Sequence, residues 1–100
     1  MGQKVWNILF HRKIKNDLKK IDPSLREKIK KTIWKKLSTA PKEFGQPLTD
    51  KLFGYWKLRV DDFRVIYKIV DNKILVLILK IGMRKNSQVY KDFEKRLKNL

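Results

Sequence analysis

Hydrophobic residues recur along the chain with two different spacings, and the change of spacing marks its secondary-structure elements. Residues 5–10 form a short apolar segment, which suits a strand. Beyond Arg12, the apolar residues Ile14, Leu18 and Ile21 fall on one face of a helix, while lysines occupy the other faces. A first strand followed by a first helix is therefore predicted.

A second helix is predicted to begin near the sequence DPS at residues 22–24, which combines an N-cap residue with a proline at the first helical position. Ser24 and Glu27 have the spacing of a capping box. The helix is expected to stop before Pro41, because a residue that precedes proline avoids the α region. The two helices then form a short antiparallel pair, and the sequence APKEFGQPLTD after them is predicted to be a loop.

The sequence YWKLRVDDFRVIY, residues 55–67, alternates aromatic or β-branched residues with polar ones around two aspartates, which is the pattern of a β-hairpin. With a two-residue turn, Val60 faces Phe63 and Arg59 faces Arg64. The alternation assigns one face to the helices, with Trp56, Leu58, Val60, Phe63, Val65 and Tyr67. The opposite face carries Tyr55, Lys57, Arg59, Arg64 and Lys68. Opposed arginines repel each other, and a bound anion would remove that repulsion.

Two further elements complete the chain. The sequence KILVLILKIG, residues 73–82, is apolar on both faces, as expected of a central strand that is covered on both sides. A helical stripe follows it, made of Val89, Phe93, Leu97 and Leu100. Tyr90 lies at the edge of this stripe. The predicted order is β-α-α-β-β-β-α, an α+β domain with a mostly antiparallel sheet, the helical pair on one face and the last helix on the other.

The charge of the chain indicates the kind of partner that it binds. The net charge is +16, from 26 Lys and Arg against 10 Asp and Glu in 100 residues. Because 42% of the residues are hydrophobic and recur periodically, we expect one folded domain over residues 1–100 rather than a disordered basic arm. So much positive charge favours an anionic partner, whether nucleic acid, a membrane surface or an acidic protein.

The sequence argues against several classes of site and location. It contains no cysteine, which excludes a disulfide framework and a zinc–thiolate site. Its first residues lack the apolar run and the cleavage site of a signal peptide. The longest apolar run, residues 74–79, is too short to span a bilayer. We expect a soluble cytoplasmic protein without a cofactor, a metal ion or a membrane partner.

Three motifs in a fixed order carry a resemblance to a known family. They are Lys57-Leu58-Arg59 with FRVIY at residues 63–67, Ile81-Gly82-Met83-Arg84 after the central strand, and Val89-Tyr90 at the start of the last helix. In this order and spacing, the chain resembles a RelE-type toxin of the RelE/ParE superfamily, from a bacterial or archaeal toxin–antitoxin module. The resemblance covers nearly the full length and is strongest over residues 57–90.

The resemblance implies ribosome-dependent cleavage of messenger RNA in the A site, by attack of a 2′-hydroxyl on the adjacent phosphate. This reaction needs a base, cations for the phosphorane and assistance for the leaving 5′ oxygen. By resemblance, Tyr90 is the base, Arg84 assists the leaving group, and Arg64 with Lys57 stabilises the transition state. Because an ordinary phenol is a weak base at neutral pH, this role requires cations beside it.

The chain departs from the family pattern at Tyr55, where well-studied relatives carry a second lysine. A neutral phenol cannot replace a point charge beside the phosphate, but it can stack on a base. We therefore assign Tyr55 to substrate binding, together with Arg59 and Lys68.

The resemblance also implies three partners: messenger RNA, the ribosome and an acidic antitoxin protein. An amphipathic antitoxin segment is expected to cover apolar positions of the central strand, namely Leu75, Leu77, Leu79 and Ile81. Two alternatives stay open. The first is a ParE-like gyrase poison, whose relatives usually lack the residues at the Arg84 and Tyr90 positions. The second is a non-catalytic RNA-binding module, which would need aromatic residues on an open sheet face.

Overall fold

The computed structural model describes residues 5–99, which form a five-stranded sheet with helices on both faces. The strands are β1 (Asn7–Phe10), β2 (Gln46–Pro47), β3 (Trp56–Val60), β4 (Phe63–Val70) and β5 (Leu75–Met83). The α-helices are α1 (Ile14–Lys19), α2 (Pro23–Thr32), α3 (Pro41–Phe44) and α4 (Gln88–Leu97). A π-helical turn, Ile33–Leu37, continues α2, and short 3-10 turns span Asp50–Leu52, Asp71–Lys73 and Lys85–Ser87.

The strand order across the sheet is β1-β5-β4-β3-β2, with β1 and β5 parallel and the other neighbours antiparallel. The predicted order of elements is confirmed, and the segment predicted to be a loop contributes the additional short elements α3 and β2. None of the helices between residues 5 and 99 is long and apolar enough to cross a membrane.

The hairpin of β3 and β4 has the predicted register. Val60 pairs with Phe63, and Arg59 pairs with Arg64. At the turn, Asp61 has a φ of 53°, a left-handed conformation that aspartate adopts more readily than most residues. The hairpin therefore presents its aromatic face and its cationic face as the alternation predicted.

Two apolar clusters lie on the two faces of the sheet. The larger one joins the helical pair to the sheet through Ile14, Leu18, Ile21, Ile29, Ile33, Leu37, Leu58, Val60, Val65, Tyr67, Val76, Ile78 and Ile81. The smaller one lies beneath α4 and contains Leu52, Ile66, Leu79, Val89 and Phe93, with Leu97 and Tyr90 packed against it. The predicted cover on both sides of the central strand is confirmed. Leu100, the last residue of the predicted stripe, lies outside the described residues.

A β-bulge in β5 changes the face on which its later residues lie. The pairing with β4 skips Leu79, which is the extra residue between two regular stretches of the ladder. Beyond the bulge, Ile81 packs under the helical pair and not under α4. The expectation that an antitoxin segment covers Leu75, Leu77, Leu79 and Ile81 is therefore wrong at Ile81, which faces the helical pair. Leu79 and Ile81 are also buried, with 8% and 2% of their surface exposed.

The start of α2 differs from the prediction in one detail. Asp22 is the N-cap residue and Pro23 is the first helical residue, as predicted. Ser24 lies inside the helix, where its Oγ donates a hydrogen bond of 2.7 Å to the Asp22 carboxylate. The predicted capping box with Glu27 is wrong, because that motif needs its serine at the N-cap position.

A buried ion cluster covers one edge of β5. This edge is free beyond Ile78, the last residue of β5 that pairs with β1. Asp17 of α1 accepts a hydrogen bond from the Ile81 N–H at 3.0 Å, and Arg96 of α4 donates one to the Leu79 carbonyl at 2.8 Å. Asp17 also accepts hydrogen bonds from Arg96 at 2.7 Å and from Lys80 at 3.0 Å. This edge cluster, made of Asp17, Lys80 and Arg96, ties α1, β5 and α4 together.

Candidate functional site

Three of the predicted site cations line one pocket on the hairpin face that points away from the helical pair. Lys57 and Arg59 come from β3 and Arg64 from β4, and Phe44 of α3 and Gln46 of β2 complete the lining. The volume of this cationic pocket is about 240 Å³. Since Arg59 and Arg64 are directly opposite each other in the ladder, the pocket concentrates positive charge at a fixed place.

No carboxylate among the described residues forms an ion pair with a cation of the pocket. The lining of the pocket also contains no acidic residue. Arg64 instead donates hydrogen bonds to the backbone carbonyls of Asp61 and Phe63, at 3.1 and 2.9 Å. Within residues 5–99, no group of three or more His, Cys, Asp or Glu side chains is placed to hold a metal ion. The arrangement suits the binding of an anion.

Tyr90 lies beside this pocket on the first turn of α4. Its ring packs at the edge of the smaller apolar cluster, as predicted, and the Lys57 ammonium lies 5.9 Å from the ring centroid. The helix approaches the sheet closely because Gly82 has no side chain, since a Cβ there would lie 3.1 Å from Val89 Cγ2. Gly82 pairs with Arg64 in the ladder, so the contact that places α4 adjoins the cationic pocket.

Arg84 lies outside the cationic pocket. It is exposed and lines a neighbouring groove together with Asp62, Met83, Lys85 and Asn86. Its backbone N–H donates a hydrogen bond of 3.0 Å to the Asp62 carbonyl, which holds the segment after β5 against the hairpin turn. A ligand has to span both the pocket and the groove to meet all the predicted catalytic residues.

The residues predicted to bind substrate lie in three different surroundings. Arg59 lines the cationic pocket. Tyr55 packs edge-on against Phe93 of α4, with ring centroids 5.0 Å apart and ring planes at 82°. Lys68 is exposed on β4, opposite Leu77 of β5, and does not line the pocket. The structure therefore brings Arg59 together with Lys57 and Arg64, it places Tyr55 against the same apolar cluster as Tyr90, and it leaves Lys68 outside the pocket.

Phe44 and Gln46 line the cationic pocket but were not predicted to do so. They belong to the segment predicted to be a loop, which has no periodicity from which a side-chain direction could be inferred. Gly45 between them carried a signal, because an isolated glycine can mark a close backbone approach. A Cβ at Gly45 would lie 1.7 Å from the Tyr67 hydroxyl.

Comparisons with known proteins connect this architecture to bacterial toxins. The family model described as "ParE toxin of type II toxin-antitoxin system, parDE" matches residues 8–88. The mRNA interferase toxin RelE of Escherichia coli (strain K12) is 29% identical over 92 residues, which cover 88% of this chain and 93% of that protein. Toxin RelG of Mycobacterium tuberculosis is 28% identical over 79 residues, which cover 79% of this chain and 91% of that protein.

A solved structure agrees with these sequence matches. The RelBE2 toxin–antitoxin complex from Mycobacterium tuberculosis contains a chain that is 26% identical and aligns with a TM-score of 0.78, over 83% of this chain and 95% of that one. The resemblance inferred from the three motifs is confirmed. Since the family model matches most of its length, the chain belongs to the ParE toxin family of type II toxin–antitoxin systems, within the RelE/ParE superfamily.

Proposed function

We propose that the protein is a toxin that cleaves messenger RNA in the ribosomal A site, without a metal ion. The observation that carries this proposal is a pocket lined by three cations and no acidic residue, with Tyr90 beside Lys57. A phosphodiester under attack gains negative charge, and a fixed, uncompensated positive field stabilises that charge. The name of the Escherichia coli relative, mRNA interferase toxin RelE, supports the same activity.

Each catalytic candidate has a role in the proposed reaction. Tyr90 accepts the proton of a 2′-hydroxyl, and the Lys57 ammonium lies 5.9 Å from the Tyr90 ring centroid. The 2′ oxygen bonds to phosphorus, and Arg64 with Lys57 stabilises the extra negative charge of the phosphorane. The bond from phosphorus to the 5′ oxygen breaks while Arg84 donates hydrogen bonds to that oxygen, which takes up a proton from solvent water. The products carry a 2′,3′-cyclic phosphate and a 5′-hydroxyl.

The ribosome supplies the positioning that the chain does not provide by itself. Arg84 lies in a groove outside the cationic pocket, so the RNA has to be held across both surfaces for in-line attack. The net charge of +16 favours docking on ribosomal RNA. We expect the purified protein to cleave naked RNA slowly, and rapid cleavage without ribosomes would contradict this part of the proposal.

Expression in a heterologous bacterium tests the assigned residues. The wild type should arrest growth and produce primer-extension stops on messenger RNA. Arg64→Ala and Arg84→Ala should each lose on the order of 10²-fold or more in cleavage, the scale of a lost transition-state contact. Lys35→Ala removes an exposed cation of the π-helical turn, outside the pocket, and should lose little. Equal losses in all three variants would mean that the charge acts only as a diffuse binding field.

Gyrase inhibition is the second candidate, because the matching family model carries the ParE description. A gyrase poison would arrest growth with a loss of DNA supercoiling and without stops on messenger RNA, and Arg84→Ala would stay toxic. The same strains therefore separate the two activities. A non-catalytic RNA-binding module has less support, because the aromatic residues Trp56, Phe63 and Tyr67 pack toward the helical pair and not on an open sheet face.

An acidic antitoxin is the proposed protein partner. The structural relative from Mycobacterium tuberculosis is a toxin–antitoxin complex, and the charge of this chain favours an acidic segment. Such a segment can cover the cationic pocket, an effect that weakens with salt, or displace α4 and move Tyr90. We expect nanomolar or tighter binding, roughly −12 kcal/mol. Failure of an acidic product of the adjacent gene to bind or to rescue growth would contradict this partner.

A further inference from the structure

The cationic pocket has an aromatic wall to which the proposed reaction assigns no role. Phe44 is 49% exposed, although its neighbours Pro41 and Gly45 are both buried. Burial of a phenylalanine side chain normally stabilises a fold, and at this position that stabilisation is largely absent. An exposed ring in a fixed backbone is the arrangement of a binding surface.

The backbone around Phe44 is anchored to the sheet on both sides. The Tyr67 hydroxyl donates a hydrogen bond of 2.6 Å to the Pro41 carbonyl. Gly45 packs so closely on the same hydroxyl that no side chain fits there. These contacts therefore fix the backbone that carries Phe44 at the wall of the cationic pocket, and a ligand can reach the ring without first ordering a loop.

The groups around the ring match the parts of a nucleotide. The Lys36 ammonium lies 5.5 Å from the ring centroid, over one face, which leaves the other face for a ligand. Gln46 follows in β2, directly opposite Lys57 in the ladder, and contributes an amide that can donate and accept hydrogen bonds. An aromatic face, an amide and a group of cations are the chemistry that recognises an unpaired base, its edge and its phosphate.

We propose that Phe44 is the stacking platform for an unpaired RNA base next to the phosphate held in the cationic pocket, with the Gln46 amide facing the edge of that base. This inference rests on the proposed function and adds a nucleobase subsite to it. Stacking had been assigned to Tyr55 from the sequence, but Tyr55 packs against Phe93. Phe44 has the exposure and the position that such a role requires.

Binding of a short single-stranded probe tests the subsite. The probe is a fluorescent tetranucleotide whose 2′-hydroxyls are replaced by hydrogen, so that it cannot be cleaved, and its affinity is measured by anisotropy. Phe44→Ala should weaken binding about 10-fold, within the range known for a base stacked on an aromatic ring. Phe44→Tyr should bind like the wild type, and Phe44→Leu should resemble Phe44→Ala. Phe53→Ala is the matched control, because Phe53 is 81% exposed and lies outside the pocket.

A second probe, with abasic sites in place of its bases, distinguishes a loss of base stacking from a loss of charge or of folding. Phe44→Ala should have no effect on its binding, whereas Arg64→Ala should weaken both probes alike. Equal losses with the two probes, a Phe44→Leu variant as good as Phe44→Tyr, or no measurable binding by the wild type would overturn the inference. A loss confined to binding of the acidic antitoxin would overturn it as well and would assign Phe44 to a protein contact.

The two proposals fail in distinguishable ways, because the binding assay does not depend on cleavage. Suppose that Phe44→Ala weakens binding of the intact probe but not of the abasic probe, and that the wild type leaves messenger RNA intact. This result would refute the cleavage activity and support the subsite. Suppose instead that cleavage on ribosomes requires Arg64 and Arg84, and that Phe44→Ala changes neither kcat/KM nor the binding of either probe. This result would refute the subsite and support the activity.

Discussion

Replacing Asp17 with asparagine removes the negative charge from a buried cluster that also holds two cations. The Asp17 side chain is 3% exposed, and those of Lys80 and Arg96 are 10% exposed. Asparagine keeps the size of the side chain and one carbonyl oxygen, so the variant mainly tests the charge. It leaves one ammonium group, on Lys80, and one guanidinium group, on Arg96, buried without a counter-ion.

The expected cost follows from that burial. Removing one partner of a buried ion pair costs about 3–5 kcal/mol, because the remaining charge is uncompensated. A domain of this size has a total stability of about 5–15 kcal/mol. The variant should therefore lose about a fifth or more of its free energy of unfolding, and its Tm should fall by more than about 10 °C.

Urea and thermal unfolding followed by circular dichroism measure this loss. The control is Asp71→Asn, which breaks an ion pair with Lys42 whose side chains are 63% and 52% exposed. An exposed pair contributes at most about 1 kcal/mol. If Asp17→Asn costs no more than Asp71→Asn, the buried charges do not stabilise the fold and the reasoning is refuted.

The pH dependence gives the same prediction a second readout. Burial raises the pKa of Asp17, but hydrogen bonds from Arg96, the Ile81 N–H and Lys80 outweigh it and hold the pKa below its ordinary value of 3.8. A carboxyl with a lowered pKa stabilises the fold above its unfolded pKa, and this stabilisation is lost as the pH falls through the folded value. The difference in free energy of unfolding between the wild type and Asp17→Asn should have its full size at neutral pH. It should become smaller only as the pH falls below 3.8, the ordinary pKa of the carboxyl.

Two other variants test the supports of the site. Gly82→Ala places a Cβ 3.1 Å from Val89 Cγ2, so it should shift the first turn of α4. The rate of cleavage should fall while the Tm stays close to that of the wild type. An unchanged cleavage rate would contradict this. Tyr67→Phe removes the donor to the Pro41 carbonyl and should cost about 1–3 kcal/mol in urea unfolding, whereas a cost near zero would show that the hydrogen bond does not anchor residues 41–45.

The hairpin and its cationic face could be predicted because local information determines them. Alternation assigns the faces, and the two-residue turn fixes the register, so Lys57, Arg59 and Arg64 were correctly placed on one surface. The bulge at Leu79 could not be predicted, since both registers of an all-apolar strand look alike in sequence. It reverses the face of Ile81, which is why Ile81 lies under the helical pair while Leu77 and Leu79 lie on the side of α4.

The edge cluster was missed because its members are far apart in sequence. Asp17 and Lys80 are separated by 63 positions, and Asp17 and Arg96 by 79. A lysine inside the apolar sequence LVLILKIG was the available signal, because a buried cation requires a partner. Which aspartate provides it depends on where β1 ends along β5, and this follows from the packed structure and not from any local pattern.

The helix α4 is held to the rest of the molecule at both ends, and this bears on how a partner could silence the proposed site. Near its start, Val89 packs on Gly82 beside the cationic pocket, and near its end Arg96 binds Asp17 and the Leu79 carbonyl. A segment that displaced α4 would have to refill the smaller apolar cluster and replace Arg96 as the donor to the Leu79 carbonyl, while Asp17 would keep its ion pair with Lys80. A segment that covered the cationic pocket would need only carboxylates. Displacement of α4 therefore favours an antitoxin segment with a hydrogen-bond donor among its apolar residues, whereas simple cover favours acidic residues alone.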